Sequence, residues 1–116
     1  MESFELNLGL EPNIVEGMRI YRLGIVNHVS YDIAGLDAGR PYRPHIHEKS
    51  DAILCILSGS GLIALGGKEH EYSPSSTFFV PRGTSHGFSP SADTLILSIQ
   101  SPPIRNHATG TEDIHF

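Results

Sequence analysis

Two histidines one residue apart, His45 and His47, stand in the stretch Gly39 to Gly59, GRPYRPHIHEKSDAILCILSG. Alternate residues of an extended chain project from the same face, so this pair presents two imidazoles to one point, as metal ligation requires. A third ligand has to come from elsewhere in the chain. His86, in FFVPRGTSHGF, has the most tightly structured setting of the remaining histidines. Three imidazoles on one face would leave positions open for substrate, water or dioxygen, which separates a catalytic from a structural metal site. The pair alone is weak evidence, because two surface histidines flanking an isoleucine also arise by chance. His28 reads as a structural histidine near two strands, and His70 as a surface residue on a hairpin.

Two other signatures fail on context. Gly59, Gly61 and Ala64 spell GxGxxA after a strand, yet a dinucleotide fingerprint must open a helix and Gly66-Gly67 follow instead. Gly83 to Gly87 match GxSxG, but a nucleophile elbow also needs a helix after the serine, and FSPSAD does not supply one.

The elements that must position the histidines are strands. Glycine (12) and proline (8) punctuate the chain so often that no window carries a sustained helical period, which predicts an all-β protein of about ten short strands in a sandwich or small barrel. Phe4, Leu6, Leu8 and Leu10 alternate with polar residues and glycine until Pro12, as an edge strand would, and are the first candidate for a homodimer contact. Met18 to Val26, Val29 to Leu36, Asp51 to Leu57, Leu62 to Leu65, Lys68 to Tyr72, Thr77 to Val80 and Thr94 to Gln100 follow as strands. Gly66-Gly67 predicts a tight hairpin, PRGTSHG a tight turn, and the spacing of Ile114 and Phe116 a short closing strand.

One hundred and sixteen residues fit a single domain, 1–116, with a core of its own. The lone Cys55 excludes a disulfide framework and a cysteine zinc site, reads as a small buried apolar residue, and suits a reducing compartment. No leader pattern or membrane-length apolar run appears, so the expectation is a soluble, cytoplasmic protein without a membrane partner. A net charge of −5 and scattered basic residues argue against nucleic acid. Arg40, Arg43 and Arg82 cluster near the histidine segments, either as a local positive rim for a small anionic ligand or as solvated surface charges. Arg43, two residues before His45, is the candidate for holding a substrate carboxylate, although Pro44 bends the path between them. Gln100 is a reserve polar ligand that reads more simply as a surface amide at a strand end.

GRPYRPHIH, DAILCILSGSG and FFVPRGTSHGF, in that order, resemble the two motifs of the cupin family with the short inter-motif loop of small bacterial members. The resemblance spans about Gly39 to Phe88, with motif one near 39–59 and motif two near 75–90. It implies an RmlC-like double-stranded β-helix, that is a jelly-roll barrel, often dimeric. It further implies one divalent transition metal ion (manganese, iron, nickel, copper or zinc) held by His45, His47 and His86. Ser75 and Pro90 replace the glycine and asparagine that usually bound the second motif. The family's carboxylate ligand falls on Ala52 when counted back from Gly59 and on Asp51 when counted forward from His47. A one-residue difference reverses the face of a strand residue, so Asp51 becomes a fourth ligand only if a bulge turns it inward. The implied function is a metal-dependent enzyme of dioxygenase, isomerase or lyase type acting on a small oxygen-rich or carboxylate-bearing molecule. The alternative is a non-catalytic module that binds or senses a small ligand or metal.

Overall fold

The structure, a computed structural model, describes residues 11–104 and 112–116. The proposed first strand at Phe4 to Leu10 lies outside these residues. The described chain is built of ten strands: β1 (Asn13–Val15), β2 (Met18–Val26), β3 (Val29–Leu36), β4 (Tyr42–His45), β5 (Asp51–Ser58), β6 (Gly61–Leu65), β7 (Lys68–Tyr72), β8 (Thr77–Val80), β9 (His86–Pro90) and β10 (Thr94–Ser101). They form two antiparallel sheets, one of six strands in the order β1-β2-β3-β10-β5-β8 and one of four in the order β4-β9-β6-β7. This is an all-β jelly-roll barrel.

Alternation sets which face each strand buries. Along β5, Ala52, Leu54 and Ile56 are buried while Ile53 and Leu57 are exposed. Along β10, Thr94, Ile96, Ser98 and Gln100 face the interior. Leu36, Ile63, Tyr72 and Phe88 join Leu54, Ile56 and Ile96 in one core between the sheets. The Tyr72 hydroxyl, buried there, meets the Thr94 hydroxyl at 2.9 Å, so its polar end is not stranded.

Three strands escape the sequence pattern. β1 closes on β2 through Glu16-Gly17, both at positive φ. β4 and β9 carry Pro44, Gly87 and Pro90, residues that disfavour sheets, yet β9 lies between β4 and β6. Here tertiary pairing overrides propensity. A Cβ on Gly87 would stand 2.9 Å from the Tyr42 carbonyl, so only glycine lets β9 approach β4 this closely. His28 falls in the Asn27-His28 turn at positive φ, exposed, and not near the barrel interior.

Candidate metal centre

Three different local devices aim the histidines. His45 ends β4 and pairs directly with His86, the first residue of β9. Ile46 then bridges to His115, which turns His47 back inward. The Gly83 N–H donates to the His47 carbonyl at 2.7 Å, so the second-motif turn is tied to the first motif beside the ligands. The imidazole centroids lie 4.1 Å (His45–His86), 4.9 Å (His47–His86) and 5.2 Å (His45–His47) apart. One nitrogen from each ring can be chosen so that all lie within 4.8 Å of one another.

All three rings are buried. Burial, reinforced by the neighbouring imidazoles, pushes His45 down to about 2. Burial and His86 push His47 down to about 4, and burial lowers His86 as well. The cluster is therefore neutral near pH 7, with lone pairs available, as metal ligation requires. His86 Nδ1 donates to the Thr84 carbonyl at 3.3 Å, which leaves its Nε2 as the free acceptor. His45 Nδ1 and both ring nitrogens of His47 are buried with no hydrogen-bond partner. An orphaned buried polar atom costs about 1–3 kcal/mol, and a bound cation would relieve that cost. The donor set fits a divalent transition metal.

Asp51 is not brought into this cluster. Its carboxylate accepts from the Arg82 backbone N–H at 2.9 Å and from the Arg82 guanidinium at 3.2 Å, and these contacts hold it below the usual carboxylate range. Pairing of β5 with β10 runs through Ser101–Asp51 and Gln100–Ala52 without a shift at that point, so no bulge inverts the strand there. Ala52, 1% exposed, takes the inward place. Arg43 is also engaged elsewhere: it pairs with Glu16 at 2.6 Å, and its guanidinium sits 4.5 Å over the Phe116 ring. Phe116 in turn lies 5.3 Å from the His45 ring. Cys55 is half-buried on the outer side of β5.

The histidines form one wall of an open cavity of about 50 Å³. The opposite wall, apolar over most of its surface, holds a polar cluster that no motif singled out. Arg22 of β2 and Asp32 of β3 are cross-strand partners and form an ion pair at 2.6 Å. Asp32 is buried, and desolvation raises its carboxyl against the opposing pull of Arg22 and Gln100. Gln100 is 2% exposed, accepts from the Ser30 hydroxyl and donates to Ser98 Oγ at 2.6 Å. It is a buried amide of the cavity wall, not a strand-end surface residue. The signal for this wall lay in alternation. Arg22 keeps step with the inward Met18 and Ile20, and Asp32 with the inward Ala34 and Leu36, so a cation and an anion occupy adjacent apolar registers.

The segment 112–116 crosses both walls. Glu112 contacts Arg22, Ile114 lines the cavity, and Asp113 accepts backbone N–H groups of Glu48, Lys49 and Ser50 at 2.9, 2.7 and 3.1 Å. Burial raises the Asp113 carboxyl, but those N–H donors outweigh it and the net shift is downward. The turn after His47 is thus held by a carboxylate more than sixty residues away.

A two-sheet barrel with paired histidines from β4 and β9 defines a cupin, and the family model described as "Cupin domain" matches residues 33–99, more than half of the chain. The chain belongs to the cupin family. Among solved structures it is similar to KdgF from Halomonas sp., with 24% identity over 93% of this chain and 98% of that one and a TM-score of 0.78. It is similar also to an RmlC-like cupin from Shewanella frigidimarina (19% identity, 88% and 92% covered, TM-score 0.76). A third is Streptomyces PAC13, solved with uridine (17% identity, 100% and 92% covered, TM-score 0.76). At these identities the likeness is one of fold. No curated protein matches the chain. No helix among the described residues is long and apolar enough to cross a membrane.

Proposed function

We propose that the protein binds one divalent transition metal ion through His45, His47 and His86 and acts as a metal-dependent enzyme on a small oxygen-rich or carboxylate-bearing molecule. The observation that carries this is the convergence of three buried, neutral imidazoles with unpartnered nitrogens on the wall of one open cavity. When bound, such an ion supplies Lewis-acid or dioxygen-binding chemistry. The chain's own residues then have separate tasks. His86 is oriented by Thr84, and His47 by its backbone tie to Gly83. Apolar side chains such as Leu54, Phe88 and Ile96 limit water in the cavity.

One observation favours a second reading, a non-catalytic ligand-binding module: Ala52 takes the inward place on β5, and among the described residues no carboxylate joins the three histidines. In either reading the protein is a homodimer, an assignment supported by the exposed apolar side chains Ile53, Leu57, Phe79 and Leu95 on the outer face of β5, β8 and β10. A monomer mass in sedimentation would remove that assignment.

Metal analysis of tag-free protein tests the site. Stoichiometric metal in the wild type, lost in His47→Ala, supports it; wild-type protein that is metal-free and cannot be reloaded sinks it.

A further inference from the structure

β4 ends at His45, so His47 is not placed by a strand. The chain on either side of it is instead tied to residues 113–115. Ile46 exchanges both of its backbone bonds with His115: its N–H donates to the His115 carbonyl at 2.8 Å, and its carbonyl accepts from the His115 N–H at 3.0 Å. Beyond His47, the N–H groups of Glu48, Lys49 and Ser50 converge on the Asp113 carboxylate at 2.9, 2.7 and 3.1 Å. Successive N–H groups turned to one side make a concave nest for an anion, and here a side chain of the same chain fills it. The segment that supplies these partners is anchored at both ends. Glu112 contacts Arg22 on the opposite wall, and the Phe116 ring lies 5.3 Å from His45, with the Arg43 guanidinium 4.5 Å from its own centre. Between those anchors, Ile114 lines the cavity.

We propose that residues 112–116 are a strap that completes the metal centre, with Asp113 as the positioning residue for His47, so that strap docking and metal binding reinforce one another. The proposal rests on the metal reading above and assigns a role in it to a segment outside the ligand set. His45 and His86 are aligned by their own strand pairing, whereas His47 depends on the strap. With the strap undocked, the N–H groups of the turn face water and the turn can carry His47 out of line, leaving a metal with two aligned imidazoles. A metal therefore favours the docked state by what it gains from the third imidazole. By reciprocity the docked strap raises metal affinity by the same factor.

The test measures zinc affinity, by competition with a chromophoric chelator, for wild type, Asp113→Asn and Tyr72→Phe in the full chain. Amide hydrogen exchange at Lys49, Ser50 and His115 is followed with and without zinc. Asparagine keeps the size of the side chain but turns an amide group towards N–H donors, and thermal unfolding checks that the variant is folded. Tyr72→Phe controls for general destabilisation: it removes a buried hydroxyl bond on β7, at the edge of the small sheet opposite β4. Asp113→Asn should weaken zinc about ten- to a hundred-fold, and Tyr72→Phe should leave it unchanged. Zinc should slow exchange at the three amides of wild type about ten-fold or more, a readout that needs no variant. A strap that only holds the fold together would protect them equally with and without zinc. Wild type that binds zinc without slowing these amides, a folded Asp113→Asn with wild-type affinity, or equal weakening by Tyr72→Phe would overturn the proposal and leave the metal site standing. Wild type that binds no zinc would overturn the metal reading and the proposal together.

Discussion

The two walls of the cavity solve opposite problems. The small-sheet wall gathers three histidines whose nitrogens have almost no partners among the described residues, so it could hold a metal ion. The large-sheet wall gathers an arginine, an aspartate and a glutamine that largely satisfy one another. The histidines, Asp32 and Gln100 are buried and Arg22 is partly buried, so exposure is not the main difference. It is that imidazoles can shed charge when buried, whereas a guanidinium cannot and must bring its counter-ions with it. The first wall is held neutral by desolvation, and the second keeps its charges by pairing them.

That contrast predicts different responses when each wall is broken. The largest stability loss should come from Asp32→Ala, which strips a buried partner from Arg22 while leaving the cation in place. About 3 kcal/mol is expected in urea unfolding, at the low end for a broken buried pair because Glu112 remains. A loss below about 1 kcal/mol would mean that the pair is solvated like a surface bridge.

Acid should attack the other wall. Unfolded imidazoles protonate near pH 6.5, while folded His47 and His45 resist until about 4 and about 2. The unfolded state therefore binds more protons throughout that window, and metal-free protein should lose stability as pH falls below 6.5. The slope from each imidazole approaches about 1.4 kcal/mol per pH unit. Urea midpoints measured from pH 7.5 to 5 would show it, and His45→Gln should flatten the profile. A profile that the variant leaves unchanged would mean the ring titrates freely in the folded protein.

The smallest effect belongs to Asp51. Its salt bridge with Arg82 is exposed, so Asp51→Ala should barely move the urea midpoint and should leave metal affinity at the wild-type value. A ten-fold fall in affinity on titration would place its carboxylate at the metal after all.

How much of this was legible in the sequence differs between the walls for the same reason. His45, His47 and His86 announce themselves because ligation confines residue type and spacing, and the strands Met18–Val26, Val29–Leu36, Lys68–Tyr72 and Thr77–Val80 follow from alternation and turn glycines. Asp51 could not be placed from the sequence, because Ala52, Leu54 and Ile56 are as apolar as Ile53, Cys55 and Leu57, and only the pairing of Ala52 with Gln100 decides the face. Gln100 looked like a strand-end amide because its partners Ser30 and Ser98 are ordinary in isolation. Arg22 and Asp32 lie ten residues apart across a hairpin, and their meaning depends on cross-strand register. β9 was hidden by its glycine and proline, and the close approach to β4 explains the glycine.

X-ray absorption spectroscopy of tag-free, metal-loaded protein tests the account most directly. The account predicts three imidazole ligands around the metal in the wild type, falling to two in a folded His47→Gln variant, with Asp51→Ala identical to wild type. A spectrum with one imidazole or none, or a wild-type shell unchanged by His47→Gln, would contradict it.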